Sequence, residues 1–427
     1  MGFLFNETKT LQLQMVQFDK REFLDGLRGI AAFQVVLFHS EIPFFSNGYS
    51  GVDIFFILSG YLITSLLIRE MDHNKRINFT RFYARRSRRL IAASCVVLLT
   101  TGIIYKIIIS PWTLLMNRST FTASCFFVEN WNLYHSSKNY FSQGDDKSPV
   151  VHYWSLGVEE QYYLLWPTLF YFLCKLTKCK YTSILKILFG MSVAIILVNS
   201  IITPRDVMLV YLSTPSRAYQ LFAGSILAIV VFQFDGDRDF AAKLSSLGSL
   251  LSYSGFILIN LLSTMYFSHF SSTAVGIFCC LATFLLILGL EISKEDCLIK
   301  KLLTSEILIN LGKISYSLYL WHFPVFIFGK ALKIFPIEND LHNLCQAFIV
   351  VSASVSLAML SWVLFENRIN RIDISTKNAQ KIAISLGILA ILVTYGALQL
   401  ILTVPEETMR IHDQIYKGNA DDVIPLQ

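Results

Sequence analysis

Charge is what this chain has least of. Only 15% of its 427 residues are Asp, Glu, Lys or Arg, against roughly one quarter in soluble domains, which excludes an ordinary water-exposed surface over most of its length. Organised cysteine is missing too. The eight cysteines are scattered, with no C-x-x-C and no Cys/His ligand spacing, so neither a disulfide framework nor a metal site is supported. There is no internal repeat, no low-complexity tract and no polar region large enough for a soluble domain. The start "MGFLFNETKTLQLQMVQFDKREFLDG" lacks the basic stretch, apolar core and small-residue cleavage site of a removable signal peptide. The first apolar span is therefore expected to be retained as a signal anchor.

What the chain has instead is hydrocarbon. With 54% hydrophobic residues and a mean hydropathy of +0.53 it reads as an integral membrane protein. Runs of membrane-crossing length fall at 29–46, 51–68, 90–109, 156–174, 184–202, 216–234, 246–263, 272–290, 307–329, 343–365 and 382–404, eleven spans in an all-α polytopic bundle. With the N-terminus in the cytosol, the segments placed inside hold about three times as many Lys and Arg as those placed outside, as the positive-inside rule requires. The net charge of +6 is then a property of inner loops and asks for no nucleic-acid partner. The expected organisation is a cytosolic segment 1–20, a membrane domain 21–405 and a short extracytoplasmic tail 406–427. Of the glycosylation sequons, Asn6 and Asn78 fall inside and only Asn117 outside.

Ionisable side chains inside spans cost roughly 2.5–3.5 kcal/mol each on insertion scales, which makes each one a functional candidate. The first span offers Arg28 and His39. Eleven residues apart, they share one helical stripe, roughly 16 Å apart along the axis, with small side chains at Ala31, Ala32 and Val35 between them. An interfacial arginine plus a histidine bonded within the bundle would give the same pattern. Asp53, in "GYSGVDIFFILSGYLI", opens the second span, where an acid also suits a helix N-terminus; Gly51 and Gly60 suggest close helix contacts. "YARRSRRL" sets Arg86 and Arg89 three apart, able to fork onto phosphates, although an anionic-lipid patch would use the same residues.

"HYWSLGVEEQYYLLWP", 152–167, puts two carboxylates at the start of the fourth span. Ser155, Glu159, Tyr162 and Trp166 form one stripe, and Glu160 lies about 100° away. Trp154 and the neighbouring tyrosines also fit an aromatic belt. "STPSRAYQLFAG" places Arg217 at the outer start of the sixth span. "ISYSLYLWHFPV" gives Ser315, Tyr319 and His322 at helical spacing, with Pro324 just beyond. Two histidines, carboxylates and an arginine thus converge on one half of the membrane.

Together "FLDGLRGIAAFQVVLFH", "GYSGVDIFFILSGYLIT", "FYARRSRRL", "HYWSLGVEEQYYLLWP", "TPSRAYQLFAG" and "ISYSLYLWHFPV" resemble, in order, the motifs of the membrane acyltransferase-3 family, the OafA/YrhL-like O-acyltransferases of bacteria and invertebrates. Departures are Ala92 where a proline usually follows the basic motif, Gln220 where an acid usually follows the arginine, and "FENRI" without a proline after the glutamate. Many relatives continue into an extracytoplasmic SGNH esterase-like domain, which is not expected here.

The resemblance implies a membrane O-acyltransferase that moves an acyl group, acetyl among the candidates, from cytosolic acyl-CoA to a hydroxyl of a carbohydrate or lipid-linked acceptor across the membrane. No resident cofactor or metal is expected. Arg28, Arg86 and Arg89 are expected to hold the donor phosphates, with the pantetheine arm along Ala31, Ala32 and Val35. His39 is expected to act as general base or transient acyl carrier, oriented by Glu159 or Asp53 as in a triad. Arg217, His322, Tyr319, Trp154 and Ser155 are assigned to the acceptor or outer site. The competing reading is a transporter or channel lined by the same charges.

Overall fold

The computed structural model describes residues 21–136, 148–235, 245–264, 272–293, 297–332 and 340–408. The expected segment 1–20, most of the tail 406–427 and residues 137–147 lie outside them. No strand occurs among the described residues. The helices are α1 (Glu22–His39), α2 (Gly51–Asn74), α3 (Phe79–Arg86), α4 (Ala92–Ile108), α5 (Pro111–Cys125), α6 (Glu129–His135), α7 (Tyr153–Thr177), α8 (Tyr181–Ile202), α9 (Val207–Leu212), α10 (Thr214–Asp235), α11 (Ser245–Thr264), α12 (Ser272–Ile292), α13 (Leu298–Leu303), α14 (Glu306–Lys313), α15 (Ser315–Ala331), α16 (Asp340–Ser361), α17 (Asn367–Asn370) and α18 (Lys377–Ile401). Two π-helical turns interrupt the ladder: Ser87–Ile91 joins α3 to α4, and Trp362–Glu366 joins α16 to α17.

Among the described residues eight helices are long and apolar enough to cross a membrane. They match eight of the eleven spans read from sequence. The other three are α1, α7 and α15. α1 carries Glu22, Asp25 and Arg28; α7 carries Glu159, Glu160 and Lys175; α15 is only 17 residues long. These helices hold His39, Glu159 and His322, and protein rather than lipid surrounds much of them.

The centre of the bundle is α2. Its apolar window is 72% buried, against 17% for α18 and 22% for α8, whose faces are left to hydrocarbon. α2 packs along α10 and also meets α1, α7 and α12. Glycine makes the closest approaches possible: a Cβ on Gly60 would stand 1.9 Å from the Leu221 carbonyl oxygen, and one on Gly224 would stand 2.1 Å from that of Ile57. The close contacts expected of Gly51 and Gly60 are thus present, Gly51 lying against the Ala31 carbonyl. α1 is clamped in the same way to α14, where Gly312 faces the Asp25 carbonyl. In hydrocarbon such backbone proximity supplies the packing that water would otherwise drive.

The Asn117 sequon is corrected by the fold. Asn117 lies inside α5, is 3% exposed and donates to the Tyr105 hydroxyl at 2.9 Å, so it offers no surface for a glycan.

Candidate active site

A narrow, partly open chamber with a cavity volume of about 70 Å³ lies among α1, α2, α7, α15 and the turn joining α3 to α4. At one end stand Arg28, Arg86 and Arg89. Its walls are Leu58, Ser59, Leu62 and Ile63 of α2, facing Leu156, Glu159 and Tyr163 of α7. Ser155 and Tyr319 stand at the other end, with Phe55 beside them. The mainly apolar walls with a few polar groups are those of a small-molecule site.

The basic run divides between two faces. Arg86 and Arg89 line the chamber, and the Arg86 guanidinium lies 4.8 Å from the Tyr163 ring centroid, a cation–π contact that fixes it against α7. Arg88 turns away and bonds the Ile372 carbonyl, while Ser87 donates to the Ala383 carbonyl at 3.1 Å. Single π-turns inside helices often fall at functional sites. Arg28 reaches the same end from α1 and keeps Asp25 3.8 Å away. The three arginines expected together are therefore together.

Glu159 belongs to this end. It accepts from the Ser59 hydroxyl at 2.9 Å and from Tyr163 at 3.4 Å, and Arg28 and Arg86 are its charged neighbours. The expectation that it orients an imidazole is corrected: its hydrogen bonds go to hydroxyls on the arginine side of Ser155, because α7 carries Glu159 one full turn past Ser155, away from the histidines. Tyr162 and Trp166, on the same stripe, bond Ser225 and Thr64 at 2.8 Å each.

Beyond Tyr319 lies a layer of three imidazoles. The His39 and His322 rings are 5.3 Å apart, and so are those of His322 and His152. Phe323 closes the group, 4.8 Å from His39 and 5.4 Å from His152. The Nδ1–H of His322 faces the Tyr319 carbonyl at 2.7 Å, which fixes the tautomer and leaves the Nε2 lone pair without a partner. Neither nitrogen of His152 meets hydrogen-bond geometry, although the Leu320 and Pro149 carbonyls lie near. His152 was not among the residues singled out from sequence. It is the residue before α7, 1% exposed, and the available signal was its interval: His152 to Tyr163 is eleven residues, the same as Arg28 to His39. Both intervals therefore run from the arginine end of the chamber to the imidazole layer beyond it, roughly 16 Å along the axis.

The predicted outer site falls into two places. Tyr319 and Ser155 stand between chamber and imidazoles, and His322 is one of those imidazoles. Asp53, Arg217 and Trp154 form a separate, fully packed group. Arg217 bonds Asp53 at 3.1 Å and the Tyr211 carbonyl at 2.8 Å; its guanidinium lies over Tyr211 and Trp154 at 4.5 and 5.8 Å; and Gln220 donates to Asp53 at 2.7 Å. Asp53 thus bonds Arg217 and Gln220 in a group that holds α2 to α10. Gln220 occupies the position where relatives carry an acid, and here it supplies the donor that a second carboxylate would not. The small-residue stripe is corrected as well. Ala31 and Val35 pack on Gly51, and Ala32 packs with Ile314, Leu318 and Ala358, so no path runs along them; the open route lies between α2 and α7.

A helical membrane protein whose interior joins a guanidinium-lined chamber to a cluster of imidazoles is the class these features define. The chain belongs to the acyltransferase-3 family: residues 21–363 match the family model described as "Acyltransferase domain". It is 34% identical over 312 residues to the "O-acetyltransferase OatA" of Staphylococcus aureus (strain NCTC 8325 / PS 47), covering 71% of this chain and 50% of that protein. It is 31% identical over 353 residues to the "Peptidoglycan O-acetyltransferase OatA" of Listeria monocytogenes serovar 1/2a, covering 82% of this chain and 55% of that protein. The chain thus spans about half the length of these curated relatives. No solved structure matches it.

Proposed function

We propose that this protein is a membrane O-acyltransferase that takes an acyl group from acyl-CoA at the arginine end and delivers it to an acceptor hydroxyl at the imidazole end, with the arginine end and the N-terminus cytosolic. The observation that carries the reading is the chamber itself, with three arginines at one end and ionisable imidazoles roughly 16 Å away behind a two-hydroxyl wall. Phosphate oxygens suit Arg28, Arg86 and Arg89, which offer planar, permanently charged donors. The thioester arm would run between α2 and α7 toward Ser155 and Tyr319.

His39 is the proposed base. It removes the proton from the acceptor hydroxyl as the oxygen bonds to the acyl carbon; the C–S bond then breaks, and the proton passes to the departing thiolate. His322, with its tautomer set, supports the cation formed on His39. Glu159 serves as a counter-charge to Arg28 and Arg86 while the donor is absent. The relatives' names support acetyl as the acyl group, and the name of the Listeria protein supports a carbohydrate hydroxyl as the acceptor class. The lipid bilayer is the only other partner invoked.

The test uses membranes containing the full chain and labelled acetyl-CoA, with transfer to endogenous acceptor measured. His39→Ala is expected to reduce transfer by about 10²–10⁴-fold, the usual contribution of a general base. Transfer at the parental rate would remove His39 from the mechanism.

A further inference from the structure

We infer that the Tyr319–Ser155 hydroxyl pair is a partition that decides whether the donor's acyl group reaches the acceptor or water; this rests on the acyl-CoA reading above. Among the described residues the chamber wall includes Ser155, Tyr319 and Phe55 but none of His39, His152 or His322. The two hydroxyl oxygens are 2.5 Å apart. Both also reach the His152 carbonyl, Tyr319 at 3.2 Å and Ser155 at 3.3 Å, so three points on α7 and α15 are tied together. Tyr319 is 6% and Ser155 3% exposed. One side of this seam faces the donor. On the other, the Tyr319 ring is 5.2 Å from His322 and 5.5 Å from His152; Phe55 of the chamber wall meets the Tyr319 ring edge-on at 6.2 Å.

A base that activates an acceptor hydroxyl activates water equally well. If the imidazoles faced the thioester directly, water would attack the acyl carbon, the C–S bond would break, and carboxylic acid and thiol would result without any acceptor. Keeping water from a reactive group until the acceptor arrives is a recognised use of a closed site. The seam is suited to this because it is made of side-chain hydroxyls, whose bonds break and re-form without unfolding either helix. An acceptor bearing several hydroxyls can take over those bonds; an isolated water cannot displace the ring.

The test uses the purified full chain in proteoliposomes with labelled acetyl-CoA and no acceptor, following acetate release and, separately, CoA binding. Tyr319→Phe keeps the ring and Ser155→Ala keeps the backbone, so both test the hydroxyls without opening a large hole. Each is expected to release acetate several-fold faster than the parent with CoA affinity unchanged, and Tyr319→Ala at least tenfold faster. Adding His39→Ala to Tyr319→Phe is expected to return release to the parental rate, which loosened packing alone would not produce. Unchanged CoA binding with unchanged acetate release in both mild variants overturns the partition. Failure of the parent itself to bind CoA overturns the donor reading instead, and the partition with it.

Discussion

Asp53 and Arg217 meet at 3.1 Å between two helices running the same way, and seven residues further along each one Gly60 and Gly224 lie at their points of backbone contact. The equal spacing keeps α2 and α10 in register for two turns, and Thr64 then bonds Ser225 at 2.9 Å. Both charges are buried, at 5% side-chain exposure each. Such a pair costs desolvation when formed and costs far more when halved, about 3–5 kcal/mol for removing one partner. Asp53→Ala and Arg217→Ala are each expected to lower thermal stability in detergent by that order, with activity falling in proportion to the folded fraction. The double variant is expected to lose less than the sum, because no charge is left stranded. A fully stable Asp53→Ala with no transfer would return Asp53 to the chemistry.

Within "RRSRR" the structure separates residues that the sequence offers as equals. Arg86 lines the chamber and stacks on Tyr163, whereas Arg85 has Arg81, Glu70, Arg88 and Arg86 as its charged neighbours and does not line the chamber. Arg86→Ala is expected to weaken CoA binding by about 10–100-fold, corresponding to the roughly 1.5–3 kcal/mol of a hydrogen bond to a charged group. Arg85→Ala is expected to leave it within about twofold. Equal losses in titrations of the two variants would show that the run acts as a diffuse basic patch.

The bundle was legible because hydrocarbon dictates it: a polytopic chain must satisfy its backbone within helices, and apolar length alone counts most of them. The functional residues were legible one helix at a time. Arg28 and His39 do share a stripe, and Arg86 and Arg89 do face one chamber. What periodicity cannot supply is the neighbour across the gap. Asp53 and Glu159 are both acids near the start of their helices, yet one is spent on Arg217 and the other on Ser59, because Gly60 and Gly224 draw α10 against α2 at a position no single-helix pattern reveals. The Ala31, Ala32 and Val35 stripe likewise looked like space, and small side chains proved to be packing surface. His152 escaped because it precedes its helix, so its eleven-residue interval to Tyr163 does not read as part of a helical stripe.

Glu159 makes the sharpest distinction between the two arrangements. An acid that orients an imidazole acts on the rate of chemistry; an acid beside Arg28 and Arg86 acts on the binding of phosphates. Charges several Å apart interact by about 2 kcal/mol at an effective dielectric of 20, so removing the carboxylate's charge relieves a repulsion on an incoming polyanion. Glu159→Gln preserves an oxygen to accept from Ser59 and changes little in volume. It is expected to tighten CoA binding by about 3–10-fold while the Ser59 bond and the fold persist, and titration of the solubilised protein with CoA measures this directly. Should the variant bind CoA as the parent does and lose transfer by about 10³-fold, Glu159 would have to act on the imidazoles in a conformation other than this one, with α7 advanced by roughly one turn toward His39.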